Sequence, residues 1–443
     1  MALDTLEKNL AKSSGVEDKE RHPTYHPDDF HFDPAQIARL RRKIDWRLLP
    51  LLSLMYLCSF LDRVNIGNAK VAGLERDIGL TPDQYSWALS IFFIGYIIAE
   101  TPSQMLALFP GAVFVISLFY SRGEQALRNG LFFSTATMAG AFGGVLAYGI
   151  SRMEGVQGLH GWQWIFILEG LPTVLLTIVV FFYLPDYPET ATFLSEDERD
   201  LAVRRLLADA GPATETEFSW KQFRDVFVDL KVYLHMVPYI LTMTPLYALA
   251  LFLPTLVREF SFDAVTSQLM TTPAYVVGCV CTILAAISSD RHRERGFHYA
   301  IPILMGALGF ALLIALEHHS TAVRYIGLTV AVSGVFSSVP AMVAYISSNF
   351  GGHTKRAVAT GLIISFGNCG GLISGHIYTP GRTIRGHIIC LIMLCVAFLF
   401  ILLLKTYYVR ENRRRRNLTP EEFEKESQGV ELCDWHPAFV YIS

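Results

Sequence analysis

The stretch "AETPSQMLALFPGAVF", residues 99–114, lies inside a run of 38 residues from Gln84 to Ser121 whose single formal charge is Glu100. A run this apolar predicts insertion into a membrane, because about 20 apolar residues of helix span the hydrocarbon core of a bilayer. As one straight helix, residues 84–120 would be about 55 Å long, against a core of about 30 Å. The run is too long for one ordinary crossing of the membrane, and it has no basic turn that would separate two crossings.

The composition of the whole chain is that of a polytopic helical membrane protein. Of its 443 residues, 52% are hydrophobic and 17% are charged, and the mean hydropathy is +0.35, whereas soluble domains are about one quarter charged. Helices are favoured over strands because lipid offers no hydrogen-bonding partner to the backbone. The seven cysteines lack the spacing of metal ligands, and no catalytic motif is present. We therefore expect no enzyme activity, no cofactor, no metal site and no nucleic-acid partner.

Apolar runs between charged, glycine or proline breaks predict ten spans. The spans lie near residues 46–62, 84–120, 129–151, 162–184, 232–257, 268–289, 299–316, 323–346, 357–379 and 387–408. They divide the chain into an N-terminal tail (1–45), a four-span lobe (46–184), a central loop (185–231), a six-span lobe (232–408) and a C-terminal tail (409–443).

Lysine and arginine predict the orientation of these spans, because they stay on the cytoplasmic side. Suppose that residues 84–120 cross the membrane once. The polar segments after residue 120 then hold 20 Lys and Arg residues on the side of the N-terminal tail and five on the opposite side. Two crossings by the same run would invert this ratio. The pattern therefore predicts one crossing by 84–120 and both termini in the cytosol.

The two predicted lobes are unequal, with 139 residues in the first and 177 in the second. Transporters are often built from two similar halves. The first lobe is 38 residues shorter than the second, so we asked at which point of the first lobe residues are missing. In the second lobe, span two ends in the basic turn "SSDRHRERG" (288–296), but in the first lobe it runs directly into apolar "ALFPG" (107–111). The sequence predicts that a segment of about one and a half helices is missing at this point.

Seven motifs together resemble those of one transporter family. They are "LDRVNIGNAK" (61–70), "GYIIAETPSQML" (95–106), "FPGAVFVISLFYSRGEQALR" (109–128), "GWQWIFILEGLPT" (161–173), "LPDYPETATFLSEDER" (184–199), "NFGGHTKRAVATG" (349–361) and "GNCGGLISGHIY" (367–378). The chain resembles a fungal major facilitator superfamily transporter of the anion:cation symporter group, which includes the allantoate, nicotinate and pantothenate permeases. The resemblance implies a fold of two helical lobes with about ten spans instead of 12, lacking helix 3 and the first half of helix 4.

This resemblance implies proton-coupled symport of a small organic anion by alternating access, in a multi-pass protein of the plasma membrane that works as a monomer. The alternative is a truncated splice or gene-model variant that inserts in the membrane but is inactive or regulatory. What favours the alternative is the absence of the acidic and basic residues that helix 4 carries in the family.

Candidate site residues follow from charges at membrane depth, which mark transport pathways, and from the resemblance. Asp62 and Arg63 are either a snorkelling interfacial pair or transport residues. The resemblance favours the second reading, with Asp62 coupling protons and Arg63 binding the anion, since a guanidinium clamps a carboxylate with two hydrogen bonds. Tyr96 and Asn368 either pack or contact the substrate, and the resemblance favours the substrate for Asn368.

Three further charged residues are expected to control gating. Glu100 is placed near the cytosolic end of helix 2, and Asp290 and Arg291 lie in the basic turn after the second span of the second lobe. Glu169, in "ILEGLP", is expected to be structural.

Overall fold

A computed structural model describes residues 33–100, 112, 115, 116, 118–185, 187–210, 219–292, 294–379, 381–429 and 431–443. This described part is helical and contains no strand. Its helices, numbered α1 to α15 in chain order, are Pro34–Val71, Leu74–Asp77, Pro82–Glu100, Arg122–Ile150, Gly161–Tyr183, Glu196–Ala210, Trp220–Val228, Leu230–Arg258, Ala264–Leu269, Thr271–His292, Gly296–Ala315, Thr321–Ser348, His353–Ser374, Thr383–Arg416 and Pro420–Ser427.

The described residues contain nine helical segments long and apolar enough to cross a membrane. The 19-residue helix α3, Pro82–Glu100, is the tenth long helix. The predicted all-α membrane fold with about ten spans is confirmed. How residues 84–120 as a whole fit the membrane lies outside the described residues, because much of the segment that follows Glu100 is among those not described.

By the division predicted from the sequence, α1, α3, α4 and α5 belong to the N-terminal lobe, and α8 and α10–α14 belong to the C-terminal lobe. Helix α4 packs along α10, α1 packs against α8, and α3 packs against α13, so each of these pairs joins the two lobes. We call the end of the bundle where α1 ends and α8 ends the distal end. The opposite end, where α5 ends and α8 begins, is the proximal end.

Several helices extend beyond the predicted span boundaries. Helix α1 begins at Pro34 rather than near residue 46, because the Asp33 side chain caps it by accepting from Ala35 N at 2.9 Å, and proline suits the first helical position. Helix α14 continues to Arg416, past the predicted end at residue 408. Hydropathy marks where a helix leaves the membrane, whereas caps and ion pairs decide where the helix itself ends.

The predicted central loop contains two helices, and the first of them docks on the N-terminal lobe. Arg205 of α6 is buried and donates to the Phe119 carbonyl at 2.9 Å, and it pairs with Glu124 at 3.2 Å. Lys43 of α1 pairs with Glu198 of α6 at 2.5 Å. Helix α6 therefore covers part of the proximal end of this lobe.

The C-terminal segment, residues 431–443, packs on the proximal end of the C-terminal lobe. Asp434 has no exposed side-chain surface and contacts two buried lysines, Lys231 of α8 and Lys355 of α13. Lys355 lies 2.9 Å from Asp434 and 2.7 Å from Asp229. Burial raises the pKa of Asp434, but the two ammonium groups outweigh burial and hold this pKa below its usual range.

Two asparagine side chains hold the end of the same segment through paired hydrogen bonds. Asn412 of α14 donates to the Tyr441 carbonyl at 2.7 Å and accepts from its N–H at 3.0 Å. Asn349 donates to the Ile442 carbonyl at 3.0 Å and accepts from its N–H at 2.8 Å. The predicted C-terminal tail is thus a folded part of the lobe that links α8, α13 and α14.

Candidate functional site

A cavity lies between the two lobes in the middle of the bundle. Both lobes contribute to its lining, which consists of Tyr56, Phe60, Arg63, Phe133, Ala136, Thr137, Tyr239, Met243, Leu246, Tyr247, Phe336, Val339, Ile364 and Asn368. Its volume is about 40 Å³. A single water needs at least about 10–15 Å³ of such space, so this cavity can hold a few waters but no organic solute. Entry of a solute therefore requires the lobes to move apart.

Arg63 is the basic residue of the cavity, and it is hydrogen-bonded across the interface between the lobes. Its Nη1 donates to the Tyr247 hydroxyl at 3.2 Å, and this hydroxyl donates to Asn368 Oδ1 at 2.7 Å. The guanidinium carbon lies 5.4 Å from the centre of the Tyr247 ring and 5.9 Å from that of Phe93. Two residues predicted to bind substrate, Arg63 and Asn368, are thus joined through Tyr247.

The close approach of α1 and α8 places Arg63 beside Tyr247. A Cβ atom on Gly67, one turn after Arg63, would lie only 2.3 Å from the Leu251 carbonyl oxygen. Glycine at this position lets the two helices meet, as small residues do at helix contacts in membranes. The packing of α1 on α8 therefore brings the guanidinium to the interface between the lobes.

Hydrogen bonds between the lobes close the cavity at its distal end. Gln268 Nε2 donates to the Asn68 carbonyl at 3.2 Å, and Ser151 Oγ donates to Gln268 Oε1 at 3.0 Å. Ser90 Oγ donates to the Leu372 carbonyl at 3.2 Å. These bonds join α1, α3 and the end of α4 to the C-terminal lobe. Separation of the two lobes at this end would break these bonds between them.

Asp62 is absent from the cavity lining, although it precedes Arg63. Its side chain is half-buried and lies beside Thr173 of α5. Successive residues of a helix point about 100° apart, so Asp62 and Arg63 face different neighbours. Their expected functions, proton coupling for Asp62 and anion binding for Arg63, therefore belong to two sides of α1. Both assignments stay predictions.

The predicted gating residues lie in different environments. Asp290 pairs with Arg295 at 2.6 Å, and Arg295 also donates to Ser289 Oγ at 2.8 Å, so the Asp290 pair is internal to the turn between α10 and α11. Arg291 is exposed. The side chains of Tyr96 and Glu100 lie outside the described residues. The gating function of all three charged residues stays a prediction, as does substrate contact by Tyr96.

Sequence reasoning missed the aromatic part of the site, above all Tyr247 and Phe93, whose ring centres are 4.9 Å apart. Helix α8 is buried over most of its length, so its apolar pattern does not single out the face that lines the cavity. The usable signal was the hydroxyl of Tyr247 inside "TPLYALALFLP" (244–254), because a polar group at that depth requires a partner. No group of three or more metal-ligating side chains occurs in the part of the chain that the structure describes.

Comparison with known proteins identifies the family. The profile of the Major Facilitator Superfamily matches residues 104–375. An uncharacterized transporter of Schizosaccharomyces pombe, C1683.12, is 30% identical over 98% of this chain and 98% of its own length. The MFS transporter prlL of Fungal sp. is 32% identical over 80% of this chain and 82% of its own length. The chain belongs to the major facilitator superfamily, and it is a multi-pass membrane protein of the transporter class.

Solved structures share the fold at low sequence identity. A bacterial homolog of the human lysosomal transporter Spinster, in an inward-facing and unoccupied conformation, has a TM-score of 0.55 and 12% identity over 86% of this chain and 99% of its own. The proton:xylose symporter XylE has a TM-score of 0.50 and 16% identity over 83% of this chain and 91% of its own. At these identities the likeness concerns the fold alone.

Proposed function

We propose that this transporter carries out proton-coupled symport of a small organic anion by alternating access. The observation that carries the proposal is the hydrogen-bonded connection from Arg63 through Tyr247 to Asn368 across the central cavity. A guanidinium, a hydroxyl and an amide are the groups that bind a carboxylate, and here they come from both lobes. An anion held by all three would contact both lobes at once, as alternating access around a midplane site requires.

The proximal end is the cytosolic end in this proposal. This end carries several of the described basic residues, namely Lys231, Lys355, Arg415 and the other arginines at the end of α14. Lysine and arginine are expected on the cytosolic side of a membrane protein. Both termini are then cytosolic, the distal end faces outward, and the protein is a monomer of the plasma membrane.

The second candidate is a shortened variant. The alignment with the S. pombe relative is 482 positions long, 39 more than the 443 residues of this chain. At least that many positions of the alignment therefore have no residue here. We propose that most of them form one segment between Met105 and Phe109. In the second candidate, this form inserts in the membrane but is inactive or regulatory.

Uptake by two versions of the chain tests both candidates. One version is the chain as it stands, and the other carries the helix 3–helix 4 segment of the S. pombe relative between Met105 and Phe109. Proteoliposomes would receive radiolabelled allantoate, nicotinate or pantothenate with an acidic exterior. We expect the extended version to accumulate at least one anion, more strongly than without the pH gradient.

The outcomes separate the candidates. Equal uptake by both versions would contradict the shortened, inactive form. Uptake by neither version, for any of the three anions, would contradict organic-anion symport.

A further inference from the structure

Glu169 of α5 is a buried acid that is not part of the lining of the central cavity. Its side chain is 5% exposed, and both carboxylate oxygens are buried without a hydrogen-bond partner. Its polar neighbours are Asn65 and Asp62, both on α1. The Asn65 amide lies beside the carboxyl without completing a hydrogen bond of good geometry, and neither residue is a cation. Glu169 is therefore a carboxyl group at membrane depth without a counter-charge among the described residues.

An ionised carboxylate is not stable in such a place. Moving an unpaired charge out of water costs far more than a hydrogen bond returns, so a buried acid without a partner takes up a proton instead. The carboxylate of Asp62, which faces Glu169 from α1, adds like-charge repulsion to this cost. The environment of Glu169 fits the neutral acid.

Asn65 supplies the second, independent observation. Its side chain is 1% exposed and lies beside the Glu169 carboxyl, and its Oδ1 is a buried acceptor to which nothing donates. A neutral carboxylic acid has one O–H to donate, whereas a carboxylate only accepts. One proton on Glu169 would thus remove the charge, and with the Asn65 amide turned so that Oδ1 faces the carboxyl it would also provide the donor that Oδ1 lacks.

We infer that Glu169 and Asn65 form a proton-binding site of the N-terminal lobe, with the proton held on Glu169 in this closed conformation. The site lies on the side of α1 that faces α5, while Arg63, two residues before Asn65, lines the central cavity. A single helix therefore carries both the anion-binding residue and a residue of the proton site. A shift or rotation of α1 would change both sites together. This coupling role rests on the proposed symport, whereas the protonation of Glu169 does not.

Infrared spectroscopy of the purified full chain in lipid nanodiscs tests the site with the proton itself as the ligand. We expect the spectrum of the wild type minus that of Glu169→Gln, at neutral pH, to contain the C=O stretching band of a protonated carboxylic acid. The band should shift in D₂O. Glu196→Gln is the matched control, because it makes the same chemical change at an exposed acid of α6 and should leave the Glu169 band in place. A difference spectrum that instead shows the bands of an ionised carboxylate would overturn the proposal.

Uptake measurements on the extended version distinguish failure of this site from failure of the proposed function. We expect Glu169→Gln to lose the stimulation by an acidic exterior but to keep exchange of labelled for unlabelled anion, and Glu169→Asp to recover part of the stimulation. Stimulated uptake together with an ionised Glu169 would contradict the proton site and leave symport standing. A protonated Glu169 together with uptake that ignores the pH gradient would contradict symport and leave the site standing.

Discussion

Replacement of Arg63 by glutamine is expected to lower uptake by the extended version by roughly 30-fold or more. The guanidinium is the cationic side chain that the structure describes in the cavity lining, and it bonds to Tyr247 of the opposite lobe. Loss of one partner of a buried, charged hydrogen-bonded pair costs about 2–5 kcal/mol, and about 2 kcal/mol already corresponds to roughly 30-fold in affinity. The measurement is initial uptake of whichever of allantoate, nicotinate and pantothenate the extended version accumulates.

The matched control is Arg152→Gln, the same chemical change at an exposed position of the distal end. It should leave uptake within about twofold of the wild type, because surface substitutions away from special features have small effects. If Arg63→Gln and Arg152→Gln transport equally well, the anion site does not lie at Arg63.

Replacement of Asp434 by alanine is expected to destabilise the protein by about 3–5 kcal/mol, because it leaves two buried ammonium groups with one carboxylate between them. Lys231 and Lys355 would then share Asp229, at 3.4 and 2.7 Å. The pKa of Asp434 lies below its usual range, so the contribution of its charge is complete at neutral pH. It is lost only as the pH falls through and below the usual range of an aspartate, near 3.9. The measurement is therefore unfolding in detergent at neutral pH.

Glu424→Ala is the control for this substitution, since Glu424 is an exposed acid of α15 in the same part of the chain. It should change the free energy of unfolding by less than about 0.5 kcal/mol. Deletion of residues 429–443 should be at least as harmful as Asp434→Ala, because it also removes the bonds made by Asn349 and Asn412. Equal stability of Asp434→Ala and Glu424→Ala would show that the C-terminal segment does not hold the lobe together.

The number of long helices could be predicted from the sequence because the bilayer imposes a length on each apolar run. The ends of the helices could not be predicted in this way. Residues 34–45 and 409–416 are polar, so hydropathy does not mark them as helical. Their helices depend instead on the Asp33 cap and on ion pairs such as Arg128 with Asp45 at 2.8 Å. The docking of residues 431–443 was also missed. Its anchor is Asp434, a single acid in a short polar stretch, and the two lysines it meets are 203 and 79 positions away in the sequence.

The candidate site was predicted in part. Arg63 and Asn368 stand out because a charge and an amide are rare inside apolar helices, and the structure places both in one cavity. The orientation of a side chain around its helix depends on which helices pack against it. This is why Asp62 could not be separated from Arg63, and why the unpaired position of Glu169 beside Asn65 was not foreseen.

Proton entry driven by the anion alone is the defining property of proton-coupled symport. Proteoliposomes that contain the extended version and an internal pH-sensitive dye would be mixed with the anion that the uptake experiment selects, without an imposed gradient. We expect acidification of the interior when the anion is added, and no acidification with Arg63→Gln. Entry of labelled anion without acidification, or acidification that persists in Arg63→Gln, would contradict this proposal.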